Sequence, residues 1–259
     1  MSAPSLARSE HGAPSSHAPE HGEHPPFLQH HFHTPEQQAS SSKLGMWLFL
    51  GQEVLFFAGL FMAYIAFRYL YPDTFLAAHE HLNVPMGSIN TVVLITSSLT
   101  MALAVRAAQV GNQSQLKLHL ILTIVFACTF LVVKYFEYSA KIHHCLLPGD
   151  YYGLPEKDDA GNIKVLADGT PKYAEHCHIA IEKEIPGKPA IFFGLYFVMT
   201  GTHGLHVAIG VGVLLWIYFR SKRGDFGPAY YTPVENVGLY WHLVDLIWIF
   251  LFPLLYLVK

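Results

Sequence analysis

An uncharged apolar run from Ala190 to Phe219 contains two histidines, His203 and His206, near its middle. The run is long enough to cross a bilayer, whose hydrocarbon core takes about 20 helical residues. On a helix the histidines lie on a different face from a stripe of small residues that favours close contact with a neighbouring helix. That stripe consists of Gly204, Ala208 and Gly212. A helix with two protein-facing sides belongs inside a bundle, so the run predicts a membrane span packed among others.

Four more apolar runs accompany it, and only 14% of the residues are charged, against about 25% in soluble domains. The predicted spans are 44–67, 88–108, 118–139, 190–219 and 237–258. They predict an all-α integral membrane bundle of five transmembrane helices within a membrane domain at 44–259. Residues 1–43, rich in His, Pro and Ser, are predicted to be a disordered tail, and 143–188 is a polar insert between spans.

The basic residues predict the orientation of the bundle. With the N-terminus inside, the short inner segments contain most of the basic residues and the short outer segments contain few, as the positive-inside rule requires. The inner group is Arg8, Lys43, Arg106, Lys117, Arg220, Lys222 and Arg223, and the outer group is Arg68 and Lys259. We therefore expect a cytoplasmic N-terminus, a periplasmic C-terminus and a periplasmic insert.

Ionisable residues inside the spans are the main functional candidates. Glu53, with Gln52 beside it, and the i, i+3 pair His242 and Asp245 each lie in the inner half, Glu53 and Asp245 roughly 13 Å deep. A carboxylate at that depth costs several kcal/mol unless it is protonated, paired or hydrated. Groups at matched depth can solvate one another, so these residues and His206 are predicted to be proton-related. A protonated Glu53 bonded to a neighbouring helix is the compatible structural alternative.

Other polar residues in the spans favour structural roles. A polar set in the second span is predicted to form interhelical hydrogen bonds. It comprises Asn90, Thr91, Thr96, Ser97, Ser98 and Thr100. Lys134 and Glu137 are predicted to form an ordinary ion pair at the membrane interface. His203 is expected to hydrogen-bond to a neighbouring helix or a lipid headgroup.

The three cysteines form no CxxC pair. Cys145 and Cys177 share the outer side, where disulfides persist, so a bridge between them is a candidate, with a His/Cys metal site as the alternative. Cys128, inside a span, is interpreted as a small hydrophobe. The net charge of -3 gives no nucleic-acid signal.

Four segments then make the sequence recognisable. They are GMWLFLGQEVLFFAGLF (45–61), INTVVLITSS (89–98), FVMTGTHGLHVAIG (197–210) and GLYWHLVDLIWIFLFPLLYL (238–257). Together they resemble, in order, the signatures of subunit III of haem-copper oxidases, most closely the five-helix bacterial cytochrome c oxidase form. The resemblance covers all five spans but neither the N-terminal tail nor most of the insert.

The resemblance implies an accessory, non-catalytic subunit of an aa3- or caa3-type cytochrome c oxidase in the bacterial inner membrane. The family's subunit III contains no haem or copper: haem a and copper lie in subunits I and II, its expected partners, with subunit IV or a supercomplex as further candidates. It also holds structural phospholipid and supports proton uptake and stability under turnover. Glu53 matches the family's carbodiimide-reactive carboxylate, His203 and His206 its HGLH motif, and His242 and Asp245 its WHxVD motif.

Several alternatives stay open. His203, His206 and His242 are candidate ligands for a metal or haem, since imidazole is a common ligand. Basic residues at span ends are candidates for phospholipid headgroups or, equally, orientation determinants. They are Arg68, Arg220, Lys222 and Arg223. The complex could instead be a quinol oxidase or a relative of nitric oxide reductase, or the chain an independent ion transporter, although it lacks the internal repeats typical of transporters.

Overall fold

The computed structural model describes residues 27–143, 146 and 188–257. In chain order the helices are α1 (Pro35–Leu70), α2 (Pro72–Ala78), α3 (Val84–Val110), α4 (Gln113–His143), α5 (Pro189–Lys222) and α6 (Thr232–Tyr256). All except the short α2 are long and apolar enough to cross a membrane. The predicted all-α bundle with five spans is therefore confirmed. The insert, with Cys145 and Cys177, and residues 1–26 lie outside the described residues.

Side-chain hydrogen bonds show how the helices run. Between α3 and α6 the partner positions in α6 fall from 248 to 241 and 242 as those in α3 rise from 91 to 97 and 98, so the two helices are antiparallel. The bonded pairs are Thr91–Trp248, Ser97–Trp241 and Ser98–His242. Between α1 and α6 both positions rise together, from Lys43–Glu235 to Tyr64–Leu254, so these helices are parallel. Helix directions that alternate along the chain are expected of successive membrane spans. The side of the membrane that each end faces stays a prediction.

Helix α1 begins nine residues before the predicted span, at Pro35 rather than Leu44. Thr34 caps it by accepting a hydrogen bond from the Gln37 N–H, and proline suits a first helical turn because its missing N–H needs no partner there. Phe27 stacks on Tyr230, with ring centroids 4.8 Å apart. The described part of the predicted disordered tail is therefore helical from Pro35 and packed against the bundle.

The connection predicted between the first two spans is folded. It contains α2 and a 3₁₀ turn at His79–His81, with Phe75 and Ala78 fully buried. Phe75 lies edge-on between Tyr64 of α1 and Phe192 of α5, at 5.2 Å from each ring. These aromatic contacts close the end of the bundle at which α1 finishes, since each large ring removes much apolar surface.

The small-residue stripe makes no close helix contact within the described part of the chain. A Cβ added to Gly204 or Gly212 would meet no atom within 4 Å among the described residues, and Ala208 is exposed. Close packing uses Gly210 instead, where an added Cβ would lie 2.7 Å from the ring of Trp241. The spacing of small residues predicts a helix surface that another helix can approach closely. Within this chain, the position of the Trp241 ring on α6 determines that the close approach is at Gly210.

Candidate intramembrane site

Glu53 of α1 and His206 of α5 form a hydrogen-bonded pair. The Oε2 of Glu53 lies 3.0 Å from Nε2 of His206, and their side chains are 11% and 17% exposed, respectively. The other ring nitrogen, Nδ1, lies 2.8 Å from the backbone carbonyl oxygen of Thr202. Phe57 packs its ring edge-on against the imidazole at 5.4 Å. The histidine ring is thus fixed on both sides, one nitrogen toward its own helix and the other toward α1.

The hydrogen-bond geometry limits how protons can be arranged between the two residues. The Thr202 carbonyl can only accept, so Nδ1 of His206 must carry a proton. The contact with Glu53 then has two forms: a protonated Glu53 donates to Nε2, or a doubly protonated His206 donates to the carboxylate. Each form has one proton between the residues and no net charge. A neutral pair is far cheaper to keep among apolar helices than an isolated carboxylate.

The pair opens into a groove of about 390 Å³ between α1, α5 and α6. Its walls are mostly apolar and include Met46, Phe49 and Ile209. Tyr240 of α6 also lines it and donates a hydrogen bond of 2.9 Å to the backbone oxygen of His206. This bond ties α6 to the histidine-bearing turn of α5. The site is therefore a largely buried acid–histidine pair at the edge of a mostly apolar groove.

His242 and Asp245 lie elsewhere. Ser98 of α3 and Nδ1 of His242 share a hydrogen bond of 2.6 Å. Asp245 is 2% exposed, and neither of its carboxylate oxygens makes a hydrogen bond of good geometry with any residue the structure describes. The Ser98 hydroxyl lies beside this carboxylate, and it can accept a hydrogen bond from Nδ1 of His242 while donating its own O–H to Asp245. These residues line a separate groove between α3 and α6.

The four residues predicted to solvate one another are therefore brought together only in part. At 100° per residue, His242 and Asp245 lie between about 140° and 160° around α6 from Tyr240, which faces the Glu53 groove. Matched depth was a sound inference for helices of alternating direction. The depth of a residue, however, says nothing about the side of its helix, and α6 separates the two groups.

His203 is fully buried between two aromatic rings rather than hydrogen-bonded. Its ring lies 5.5 Å from Phe130 and 5.3 Å from Trp248, and neither nitrogen has a hydrogen-bond partner among the described residues. The three membrane histidines do not converge. The described part of the chain contains no group of three or more His, Cys, Asp or Glu side chains placed to hold a metal ion.

Most of the predicted polar contacts of α3 are present. Thr91, Ser97 and Ser98 bond to α6, and Thr100 bonds to Thr123 of α4 at 2.8 Å. Two expectations are wrong. Thr96 bonds within its own helix to the carbonyl of Val92, and the buried side chain of Asn90 has no hydrogen-bond partner in the described ranges.

Lys134 and Glu137 do form an ion pair, with 2.8 Å between Nζ and Oε2, and the pair is buried among the helices. Their side chains are 7% and 2% exposed, because Tyr196 of α5 and Tyr256 of α6 cover them. Both tyrosine hydroxyls donate to Oε1 of Glu137, at 2.9 and 2.6 Å. No sequence pattern indicated this buried cluster, because its two tyrosines lie 59 and 119 residues from Glu137 in the chain.

The predicted headgroup candidates have different surroundings in the structure. Arg68 lines a groove of about 660 Å³ beside α2, together with Tyr69 and Asp73. Arg220 instead donates to Asp225 at 2.9 Å and lies over the ring of Trp216. The side chains of Lys222 and Arg223, the other two headgroup candidates, are exposed. Those of Gln52 and Cys128 are exposed as well.

Fold and site together define an integral membrane helix bundle that keeps a hydrogen-bonded acid–histidine pair among apolar side chains. The family model for "Cytochrome c oxidase subunit III" matches residues 27–145 and 185–259. The chain belongs to this family, and so is a subunit III of a cytochrome oxidase that associates with other subunits of the complex.

Curated relatives agree. A cytochrome c oxidase subunit 3 from Thermostichus vulcanus is 31% identical over 216 residues, which is 83% of this chain and 86% of that protein. One from Corynebacterium diphtheriae is 28% identical, covering 83% of this chain and 87% of that protein. One from Papio hamadryas is 30% identical, covering 88% of this chain and 73% of that protein.

Proposed function

We propose that the chain is the accessory subunit III of an aa3- or caa3-type cytochrome c oxidase in the bacterial inner membrane. It makes no bond in the substrate, while haem a and copper are held by subunits I and II. The bacterial relatives named cytochrome c oxidase subunit 3 support the cytochrome c type over a quinol oxidase. Co-purification with a copper-binding subunit II would test this choice, because such a subunit is what cytochrome c donation requires.

The Glu53–His206 pair carries the proposed role in proton supply. Its single proton moves between Oε2 and Nε2 across 3.0 Å without changing the net charge of the site. A pair of this kind can give up a proton to an acceptor on one side and regain one from the other. The groove beside it provides room for water or a lipid headgroup to reach it. We propose that the pair buffers or relays protons taken up from the inner side during turnover.

The test compares two Glu53 variants in the assembled oxidase. Glu53→Gln keeps the size and a hydrogen-bonding group but removes the exchangeable acid, and Glu53→Ala removes both. If the pair handles protons, both variants slow proton uptake and hasten inactivation during turnover. Gln52→Ala, at the exposed neighbouring position, serves as the matched control and should behave as wild type. Unchanged proton pumping and unchanged inactivation kinetics in both Glu53 variants would contradict the proton role.

Structural phospholipid belongs to the same proposal. The Arg68 groove combines a guanidinium with the apolar side chains of Ile65 and Leu76, which suits a phosphate above an acyl chain. His242 and Asp245 stay candidates for a proton-related role, but as a second group separate from the Glu53 pair.

A further inference from the structure

Asp245 is a carboxyl group sealed inside the chain. Both of its oxygens are buried, and it follows the first residue of α6 by 13 positions, about 20 Å along a helix of 25 residues. An isolated carboxylate at this depth is costly. Among the described residues that line the adjacent groove, none is a lysine or arginine. The one side chain there that can become positive and balance the acid is His242.

The Ser98 hydroxyl of α3 connects these two residues of α6. It lies 2.6 Å from Nδ1 of His242 and beside the carboxylate of Asp245. Hydroxyls in a helix often donate to a carbonyl of the preceding turn, as those of Thr91 and Thr96 do in α3. Ser98 makes no such bond within the described part of α3, so its hydrogen is available to the two groups on α6. A hydroxyl can donate one hydrogen bond while accepting another, so Ser98 can bond to both at once.

His242 forms the open end of this connection. Its side chain is partly exposed and lines the groove of about 430 Å³ between α3 and α6. Ser98 occupies Nδ1, so Nε2 is the ring nitrogen left to exchange protons with the surroundings. Imidazole can take up a proton at one nitrogen and release one from the other. A proton that enters at Nε2 can therefore lead to release of the Nδ1 proton toward Ser98.

We propose that Ser98 bridges a proton relay between His242 and the sealed carboxyl group of Asp245. In the first form, the doubly protonated His242 donates its Nδ1–H to the Ser98 oxygen, and Ser98 donates its O–H to the carboxylate. In the second form, the Nδ1 proton has moved to Ser98 and the original Ser98 proton has moved to Asp245. One N–H and one O–H bond break while two O–H bonds form, and the net charge is zero in both forms.

The relay makes His242 and Asp245 a second acid–histidine pair. The first pair, Glu53 and His206, is in direct contact at 3.0 Å, whereas the second is joined through a hydroxyl group of another helix. In both pairs a proton can move without creating a net charge among the apolar helices, which keeps the electrostatic cost low. The inference rests on the proposed function in one respect, since it deepens the proton-related role of the second group.

The test is infrared measurement of hydrogen–deuterium exchange at Asp245 in the assembled oxidase after transfer to D₂O. The carboxylic acid band of Asp245 is identified by its loss in Asp245→Asn. Ser98→Thr and Ser98→Val have side chains of the same shape, and only threonine keeps the hydroxyl. We expect Ser98→Thr to exchange at nearly the wild-type rate and Ser98→Val to exchange roughly 10²-fold more slowly, the lower end of what a positioned proton carrier contributes. Exchange in Ser98→Val as fast as in Ser98→Thr would overturn the proposal.

The matched control is Ser97→Ala. It removes the neighbouring hydroxyl, which accepts a hydrogen bond of 2.7 Å from Trp241, and leaves the relay in place. Exchange at Asp245 should not be slower in this variant than in wild type. A bundle that is merely loosened admits water and speeds exchange, so slower exchange distinguishes a lost relay from lost packing. Equal slowing in Ser97→Ala and Ser98→Val would count against Ser98 as the bridge.

His242→Phe decides the question if the Ser98 variants do not accumulate. It keeps an aromatic ring at the groove and removes both nitrogens, so exchange at Asp245 should again be slower, and an unchanged rate would overturn the relay. Absence of the Asp245 acid band at every pH at which the complex is stable would also overturn it, because the acid would then hold no proton. Exchange is measured without turnover, so slowing at Asp245 alongside unchanged proton pumping in the Glu53 variants would uphold the relay and contradict the proposed role of Glu53.

Discussion

Replacing Glu137 by glutamine removes the negative charge from a cluster in which two buried lysines surround it. Lys134 lies 2.8 Å from one carboxylate oxygen and Lys141 lies 3.9 Å from the other, with side chains 7% and 5% exposed. Glutamine can keep the hydrogen bonds from Tyr196 and Tyr256 but cannot balance the ammonium groups. Lys141 retains a hydrogen bond to the backbone oxygen of His81, at 3.3 Å, so the larger loss falls on Lys134.

Breaking a buried ion pair by removing one partner typically costs 3–5 kcal/mol, because an uncompensated charge is left behind. The cost has an upper bound, since the lysine can instead lose its proton. For an ordinary lysine at neutral pH that takes about 4–5 kcal/mol. We therefore expect Glu137→Gln to lower the free energy of unfolding by about 3–5 kcal/mol. Lys134→Met should cost less, because Glu137 keeps Lys141 and two tyrosine donors.

The assay is SDS-induced unfolding of the chain in mixed micelles, followed by tryptophan fluorescence. Lys43→Met is the control, since its ion pair with Glu235 at 3.1 Å is 44% exposed on the lysine side and should contribute less than about 1 kcal/mol. A loss for Glu137→Gln no greater than that of the control would refute the reasoning, because it would mean that the cluster is hydrated or that its charges are not buried.

Two further predictions concern packing and lipid. Gly210→Ala should destabilise the chain by about 1–3 kcal/mol, because its Cβ would lie 2.7 Å from the Trp241 ring. Gly204→Ala is the control: an added Cβ meets nothing within 4 Å in the described chain, so this variant should unfold at the same SDS concentration as wild type. Arg68→Gln should reduce the phospholipid that co-purifies with the complex, measured by mass spectrometry, while Arg223→Gln should not; equal lipid content in both variants would remove Arg68 as a headgroup ligand.

The sequence predicted the fold because each span is an almost continuous apolar run, and a run of about 20 residues permits few structures in a membrane. Depth along a span was also predictable, since it depends only on position and direction. The partners of Glu53 and Asp245 could not be predicted, because they depend on the side of the helix that each residue faces. Tyr240 and Asp245 are five residues apart but face different grooves.

The burial of Lys134 and Glu137 could not be predicted either. Three-residue spacing near the end of a span is equally compatible with an exposed pair and with one covered by aromatic side chains. Tyr196 and Tyr256, which cover the pair, are between 59 and 122 residues away in the chain. His203 has no hydrogen-bond partner in the described part of the chain, and this depends in the same way on Phe130 and Trp248, whose rings fill the space around the imidazole.

The most direct test of the account is to purify the native complex through an affinity tag on this chain, then determine its subunits, haem spectrum and copper content. We predict that two larger oxidase subunits co-purify, that haem a and copper stay with them when this chain is separated, and that the complex oxidises cytochrome c. A chain that purifies alone, stable and carrying its own haem, would contradict the assignment as an accessory subunit.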